Sequence, residues 1–167
     1  MSLAAALIPE LENEAQSTRR LLARVPNDQL GFQPHAKSMT LGQLAHHTAS
    51  IPGSISRMAA ADGIDVATVN FSSPSPASAA ELLETLDNAV AEAKAFLASL
   101  DDSAAASIWT AKNGDKVLFA LPKIALVRNL LLNHWYHHRG QLTVYLRLLD
   151  VALPSIYGPS ADENPFM

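Results

Sequence analysis

The apolar residues of the chain recur mainly at three- and four-residue steps, which is the spacing of one face of a helix. Four such segments can be separated, at about residues 2–24, 40–60, 79–100 and 122–150. Stretches rich in proline, glycine or serine divide them, and no internal repeat or second domain is visible. The pattern predicts one all-α domain over residues 1–167, a four-helix bundle with a crossover connection.

The connections between these helices carry further signals. Residues 61–77 contain several serines, prolines and a glycine, and we expect this long loop to be polar and irregular. Residues 108–121 contain two partly apolar runs around Asn113-Gly114, a dipeptide that favours a tight hairpin turn. We therefore expect a short hairpin between helices 3 and 4.

The fourth helix is apolar around much of its circumference, which predicts burial on more than one side. One side faces the core. The other, which carries Trp135, Leu142 and Leu146, could contact a second copy of the chain, or loops of the same chain could cover it. The pattern leaves both alternatives open.

The composition limits the classes of function. Lysine and arginine total 12 against 16 acidic residues, and no basic run suggests a nucleic-acid-binding surface. No apolar stretch reaches the ~18 residues that span a membrane, and residues 1–8 lack the features of a signal peptide. We therefore expect a cytoplasmic protein that binds neither nucleic acid nor membrane. The chain has no cysteine, so a metal must be held by histidine, carboxylate or water.

Two of the six histidines, His134 and His138, are four residues apart in the fourth predicted helix. Their rings therefore project from one face of that helix, within reach of a single ion. We interpret this stripe as the interior face of the helix. At about 100° per residue it also contains Val127, Leu130, Gln141, Tyr145 and Leu148.

The second helix contains the adjacent pair His46 and His47. His47 shares an apolar stripe with Leu44 and Ile51, whereas His46 aligns with smaller residues such as Ala49. We therefore expect the ring of His47 to face inward and that of His46 not to. Because ligand sites in helical bundles are built from facing helices, His47 can meet the histidine pair of the fourth helix.

Three imidazoles buried together would leave lone pairs unsatisfied or bring charged rings together. One divalent ion removes both problems, and neutral nitrogen ligands suit Zn²⁺, Ni²⁺ or Fe²⁺ better than Mg²⁺ or Ca²⁺. With three protein ligands, His47, His134 and His138, the ion keeps an open position, as at catalytic sites. No glutamate lies between the last two histidines, which argues against a peptidase of the H-E-x-x-H type.

Other polar residues near this predicted site have less specific signals. Gln141 and Tyr145 share the histidine stripe and could orient a substrate or donate a proton, although bonding to the bundle backbone is the simpler interpretation of each. Arg139 lies off the stripe, and we expect it in a surface or interface ion pair. The histidines expected to be structural or exposed are His35, His46 and His137.

Three stretches resemble the DinB/YfiT-like family. They are residues 34–47 (PHAKSMTLGQLAHH), residues 134–142 (HWYHHRGQL) with the Tyr145-Leu146-Arg147 that follows, and residues 154–163 (PSIYGPSADE). With the helix order, the resemblance covers nearly the whole chain, and H-x-x-x-H-R-G-Q is its most specific part. It implies a four-helix bundle, often a homodimer, with a divalent metal on His47, His134 and His138.

The resemblance also implies chemistry: transfer or isomerisation that uses low-molecular-weight thiols, and metal-dependent hydrolysis. Our first hypothesis is a thiol S-transferase, in which a metal activates a cosubstrate thiol that attacks a small electrophile. The absence of cysteine is compatible with it, because the cosubstrate supplies the thiol. A metal-dependent hydrolase and a non-catalytic metal- or ligand-binding stress protein are the alternatives.

Overall fold

A computed structural model describes residues 2–167, most of which are helical. A π-helical segment, Val127–Asn133, joins the last two helices, so residues 123–148 form one continuous helical stretch. Short 3-10 turns occupy Ala5–Leu7, Asn27–Gln29 and Val66–Thr68. The helices are α1 (Ile8–Leu22), α2 (Leu41–Ala60), α3 (Ala79–Ser99), α4 (Asp102–Ala106), α5 (Lys123–Leu126) and α6 (His134–Leu148).

A small mixed sheet corrects the all-α prediction. Strands β1 (Gly63–Asp65), β2 (Ile108–Asn113) and β3 (Lys116–Pro122) lie in the order β1-β2-β3, with β1 parallel to β2 and β3 antiparallel to it. The predicted hairpin is β2–β3, and Gly114 adopts a φ of 58° in its turn, in the left-handed region. Strand β1 lies in the loop predicted to be irregular. The sequence does not predict it, because three residues are too few to show a strand periodicity.

Helix α2 begins as the sequence indicates, whereas α1 begins at Ile8 and not near residue 2. The Thr40 hydroxyl accepts the Gln43 amide at 3.2 Å, and the Gln43 side chain accepts the Thr40 amide at 2.9 Å. This capping box satisfies two amides at the start of α2. Pro9 lies in the first turn of α1, where its missing N–H leaves no helical hydrogen bond unmade.

An internal proline of α2 links this helix to α6. Pro52 has no N–H to offer the carbonyl of Thr48, four residues earlier. The indole of Trp135 donates to that carbonyl at 2.8 Å, which satisfies a buried acceptor. This hydrogen bond therefore holds the two helices together immediately beside His47 and His134.

The face of α6 expected to meet a partner is part of the core of this chain. Trp135, Leu142 and Leu146 are all 0% exposed. Helices α1 and α2 both contact α6, and the three side chains belong to the main hydrophobic cluster. The partner-facing interpretation of this face is therefore wrong, and the homodimer stays a prediction without an assigned surface.

The histidine stripe of α6 lies at the edge of the core, and part of it is exposed. Gln141 is exposed, and Leu148, expected inside, is 59% exposed. Within α6 the core face carries Trp135, Arg139, Leu142 and Leu146, which lie to one side of the histidine stripe. Because a π turn takes more residues than an α turn, Val127 and Leu130 do not project regularly onto α6, and their apolar character does not identify its core face.

Arg139 is also a correction, because its side chain is buried and not at a surface. It is 2% exposed and pairs with the carboxylate of Glu14 on α1 at 2.5 Å. Its guanidinium also donates to the Thr18 hydroxyl at 3.3 Å and to the hydroxyl of Tyr157. Tyr157 in turn donates to Glu14 at 2.8 Å, so the buried ion pair anchors the C-terminal tail to α1.

Packing among the long helices positions the histidine-bearing segments. Helix α2 contacts α1, α3 and α6, and α1 also contacts α3 and α6, around the main core. A smaller core of Ala59, Trp109, Ala111 and Leu126 lies between the end of α2 and the sheet. No helix in residues 2–167 combines the length and apolarity needed to cross a bilayer.

Candidate metal centre

Three histidines converge where α2 faces α6. The ring centroid of His47 lies 5.3 Å from that of His134 and 4.5 Å from that of His138, and the latter two are 4.5 Å apart. One ligand nitrogen of each ring lies within 4.8 Å of the other two. All three side chains are half-buried. These residues, the ones singled out in the sequence, are positioned to bind a metal ion.

The outer nitrogen of each ring has a partner that orients it. His134 Nδ1 lies 3.3 Å from the Leu130 carbonyl, His138 Nδ1 lies 2.7 Å from Gln141 Oε1, and His47 Nδ1 lies 3.4 Å from the Ser73 hydroxyl. Hydrogen bonds of this kind fix the tautomer and the direction of metal-binding histidines. The arrangement therefore leaves the Nε2 atoms available for a ligand.

The π-helical segment supplies one of these partners. The backbone N–H of His134 bonds to the carbonyl of Asn129, five residues earlier, and not to that of Leu130. The Leu130 carbonyl is therefore free to accept from His134 Nδ1. The irregular turn thus exposes an acceptor where the metal-facing histidine needs one.

The resulting tautomers suit a cation. A carbonyl oxygen can only accept, so these contacts favour the tautomer of His134 and of His138 that carries its proton on Nδ1 and presents a lone pair on Nε2. These two Nε2 atoms lie 2.8 Å apart. Two lone pairs at this distance repel each other unless a positive charge lies between them. A donor set of three neutral imidazoles fits a divalent transition metal.

The same environment keeps the rings uncharged. The pKa of His47 is lowered to about 4. Burial is the largest cause, and electrostatic repulsion from the neighbouring rings of His134 and His46 contributes less. The pKa of His138 is also lowered to about 4, mainly by burial and to a smaller extent by electrostatic repulsion from His134 and His47. Burial also lowers the pKa of His134, against the opposing hydrogen bond to Leu130. The site is therefore in its metal-binding protonation state at neutral pH.

These shifts predict how the stability of the metal-free protein depends on pH. His47 and His138 bind protons near pH 6.5 when unfolded, but near pH 4 when folded. Between these values the unfolded state holds more protons, so the free energy of unfolding should fall as the pH is lowered. Urea unfolding with a chelator, from pH 7.5 to 5, measures this slope. His47→Asn should reduce the slope, and an unchanged slope would contradict the assignment.

A cavity of about 630 Å³ adjoins the histidines. His46, His47 and His134 line one part of it, and α2, the loop after β1 and Leu130 supply the other walls. Such a volume is typical of small-molecule sites. A ligand in this cavity would therefore contact His47 and His134, two of the three histidines that are positioned to bind a metal.

The two residues predicted as catalytic have structural partners. Gln141 is exposed and bonds to His138 Nδ1 at 2.7 Å, while the hydroxyl of Tyr145 donates to the Met39 carbonyl at 3.1 Å. Neither residue lines the cavity. A catalytic role for them stays a prediction that this geometry does not favour, and Gln141 orients a histidine instead.

Replacing Gln141 with leucine should lower the affinity for Zn²⁺ by about tenfold, because outer partners of histidine ligands typically contribute that much. Gln141→Glu keeps an acceptor for His138 Nδ1 and should retain most of the affinity. Isothermal titration calorimetry of the two variants measures the difference. Equal affinities for the leucine and glutamate variants would show that Gln141 does not orient the ring.

The remaining histidines differ in their surroundings. His35 and His137 are exposed, as expected. His46 lines the cavity, contrary to the weak outer face expected for it, and its buried Nδ1 has no hydrogen-bond partner within residues 2–167. Ser73 was not predicted, since it lies in a loop without periodicity. The only sequence signal for His46 was its position next to His47.

The fold and the site together define a mostly helical protein with a histidine triad that can hold one metal ion. The sequence profile of the DinB family matches residues 1–165. The chain belongs to the DinB family.

Individual relatives show the same relationship. The uncharacterized protein YrdA of Bacillus subtilis is 28% identical over 161 residues, which cover 91% of this chain and 86% of YrdA. A DinB-like protein of Bacillus cereus ATCC 10987 has a TM-score of 0.69 at 22% identity, over 90% of this chain and 95% of its own. A DinB-like protein of Bacillus subtilis has a TM-score of 0.66 at 16% identity, over 90% and 96%. The two solved structures support the fold.

Proposed function

We propose that this protein is a metal-dependent thiol S-transferase that joins a low-molecular-weight thiol to a small electrophile. The observation that carries the proposal is the convergence of the Nε2 atoms of His134 and His138, 2.8 Å apart beside a cavity for a small molecule. His47, His134 and His138 would hold one Zn²⁺, Ni²⁺ or Fe²⁺ ion. The four-helix bundle and the homodimer implied by the family resemblance belong to the same proposal.

A divalent cation in this site would supply positive charge that favours the ionised form of a coordinated thiol or water. The chain's own residues do the positioning. Leu130, Gln141 and Ser73 orient the three rings, and the cavity holds the second substrate next to them. In the overall reaction the thiol loses its proton, its sulfur bonds to the electrophilic carbon, and the leaving group departs with the bonding electron pair.

The cavity lining favours transfer over hydrolysis. Within the described residues no aspartate or glutamate lines the cavity. Hydrolases generally use such a group to manage the protons of water and of the leaving group. An acidic thiol needs less assistance, because its thiolate is already a strong nucleophile near neutral pH. This difference supports the transferase.

Turnover tests the proposal directly. The zinc-, nickel- or iron-loaded protein is incubated with monochlorobimane and with glutathione, mycothiol or bacillithiol, and the fluorescent conjugate is measured. Conjugation should require one of the thiols and should stop on chelation. A parallel incubation contains an ester and no thiol. Consumption of the ester there would contradict the transferase in favour of a hydrolase. Absence of turnover with every thiol would contradict it in favour of a binding protein.

A further inference from the structure

The cavity beside the histidines extends well beyond them along α2. Its lining on this helix runs from His46 and His47 to Met58. At 1.5 Å per residue, the distance from His47 to Met58 along the helix is about 16 Å. The cavity therefore has room for a molecule that reaches far past the histidines.

The far part of this cavity has an apolar wall. Ile55, Met58, Ile64 and Leu130 line it. Three of them, all except Ile55, also pack against the smaller core next to the sheet. The indole of Trp109 donates to the Met58 carbonyl at 3.2 Å, which ties this part of α2 to β2. The wall is therefore a supported surface that a ligand would meet already formed.

The loop after β1 closes the opposite side of the cavity with exposed apolar side chains. Val69 is 37% exposed and Phe71 is 66% exposed. A ligand that covers these side chains would remove apolar surface from water, which is favourable in proportion to the area buried. The polar residues of this loop that line the cavity are Asn70, Ser72 and Ser73, and the Ser73 hydroxyl lies 3.4 Å from His47 Nδ1.

Away from the histidines, the cavity offers no free cation for an anionic ligand. Apart from the histidines, Arg57 is the one ionisable residue that lines it within the described chain. Its guanidinium pairs with the carboxylate of Glu92 on α3. Because the charge of Arg57 is compensated, an anion entering the apolar part would lose hydration without gaining a partner. The hydroxyls of Ser50 and Ser54 are neutral.

We propose that the second substrate, the electrophile, is an uncharged and predominantly apolar molecule that binds between α2 and the loop after β1, against Phe71. This inference rests on the proposed function, because it names the molecule that receives the thiol. The thiol end of the cavity lies at the histidines and serines, and the apolar end receives the electrophile. Phe71 is then a residue that determines specificity.

Two fluorescent probes of nearly equal shape test this substrate class. N-phenylnaphthylamine is uncharged, and anilinonaphthalene sulfonate carries one negative charge on the same ring system. Titrations of the full-length protein, freed of metal beforehand so that no bound ion can attract the sulfonate, should show single-site binding that favours the uncharged probe by about tenfold or more, since the sulfonate finds no free cation. Equal or tighter binding of the sulfonate, or no binding of either probe, would overturn the proposal.

Variants at Phe71 connect this preference to the cavity. Phe71→Ala should weaken binding of the uncharged probe about fivefold through the lost apolar contact. Phe71→Arg should shift the preference toward the sulfonate. Phe166→Ala, at an exposed phenylalanine outside the cavity, is the matched control and should change neither affinity. Equal effects of Phe71→Ala and Phe166→Ala would overturn the role of Phe71.

A zinc titration of the same samples distinguishes a failure of the proposed function from a failure of the proposed substrate class. Loss of probe selectivity with normal zinc binding overturns the substrate class alone. Normal probe selectivity without zinc binding overturns the proposed function and supports the apolar character of the cavity.

Discussion

Replacing His134 with alanine should lower the affinity of the protein for Zn²⁺ by more than about a hundredfold. Loss of a residue that only orients a ligand typically lowers metal affinity by about 10–100-fold, and loss of the ligand itself should cost more. Replacing His47 or His138 with alanine should have a similar effect, since one nitrogen of each of the three rings lies within 4.8 Å of the other two. Calorimetric titration with Zn²⁺ measures the three losses. Unfolding curves of the same variants show whether each remains folded.

His46→Ala is the matched control for His47→Ala. The two residues are adjacent on α2, but the ligand cluster contains only His47. His46→Ala should therefore change the zinc affinity by less than the tenfold typical of an outer partner. Equal losses at the two positions would show that the assignment of rings to faces is incorrect, even if the protein binds zinc.

Replacing Arg139 with methionine should lower the free energy of unfolding by about 3–5 kcal/mol, the usual cost of breaking a buried ion pair from one side. Arg139 is 2% exposed, and the side chain of its partner Glu14 is 13% exposed. Methionine keeps most of the volume, so the loss reports mainly on the unpaired carboxylate. Urea unfolding at pH 7 measures it.

A double variant and an exposed pair are the controls. Arg139→Met combined with Glu14→Gln should regain part of the lost stability, because the unpaired charge is gone. Arg147→Met breaks an ion pair with Asp162 whose arginine side chain is 43% exposed, and should cost less than about 1 kcal/mol. A similar small cost for Arg139→Met would contradict the structural role of the buried pair.

Much of the helical fold could be predicted because it follows local rules. The start of α2 was readable from Thr40 and Gln43, and the hairpin from Asn113-Gly114, since cap and turn preferences act over a few residues. The two i, i+4 histidines were readable for the same reason. Strand β1 was not, because its pairing with β2 is non-local and it spans only three residues.

The errors on the last helix have a common physical origin. The prediction that the histidine stripe faces the interior assumes a constant 100° per residue over residues 122–150. The π-helical segment Val127–Asn133 breaks that regularity. Val127 and Leu130 therefore do not project regularly onto α6, and their apolar character does not make the histidine stripe its core face. The core face carries Trp135 and Arg139, and Leu148 is exposed. Nothing in the local preferences of these residues signals a π turn.

The outer part of the metal centre was also beyond prediction. The Leu130 carbonyl is available only because of the π-helical segment, and Ser73 reaches His47 only through the tertiary path of its loop. The Trp135 indole meets Thr48 because Pro52 leaves that carbonyl free, although the two helices are far apart in sequence. Local patterns therefore identified the ligands, and tertiary contacts determine how they are held.

Zinc-edge X-ray absorption of the zinc-loaded protein, together with the zinc content per chain, tests the central claim most directly. We expect one equivalent of zinc with three imidazole nitrogens at about 2.0–2.1 Å. The His47→Ala variant should lose this signal, whereas His46→Ala should keep it. Less than about a tenth of an equivalent bound, or a coordination shell without imidazole scattering, would contradict a metal centre at His47, His134 and His138.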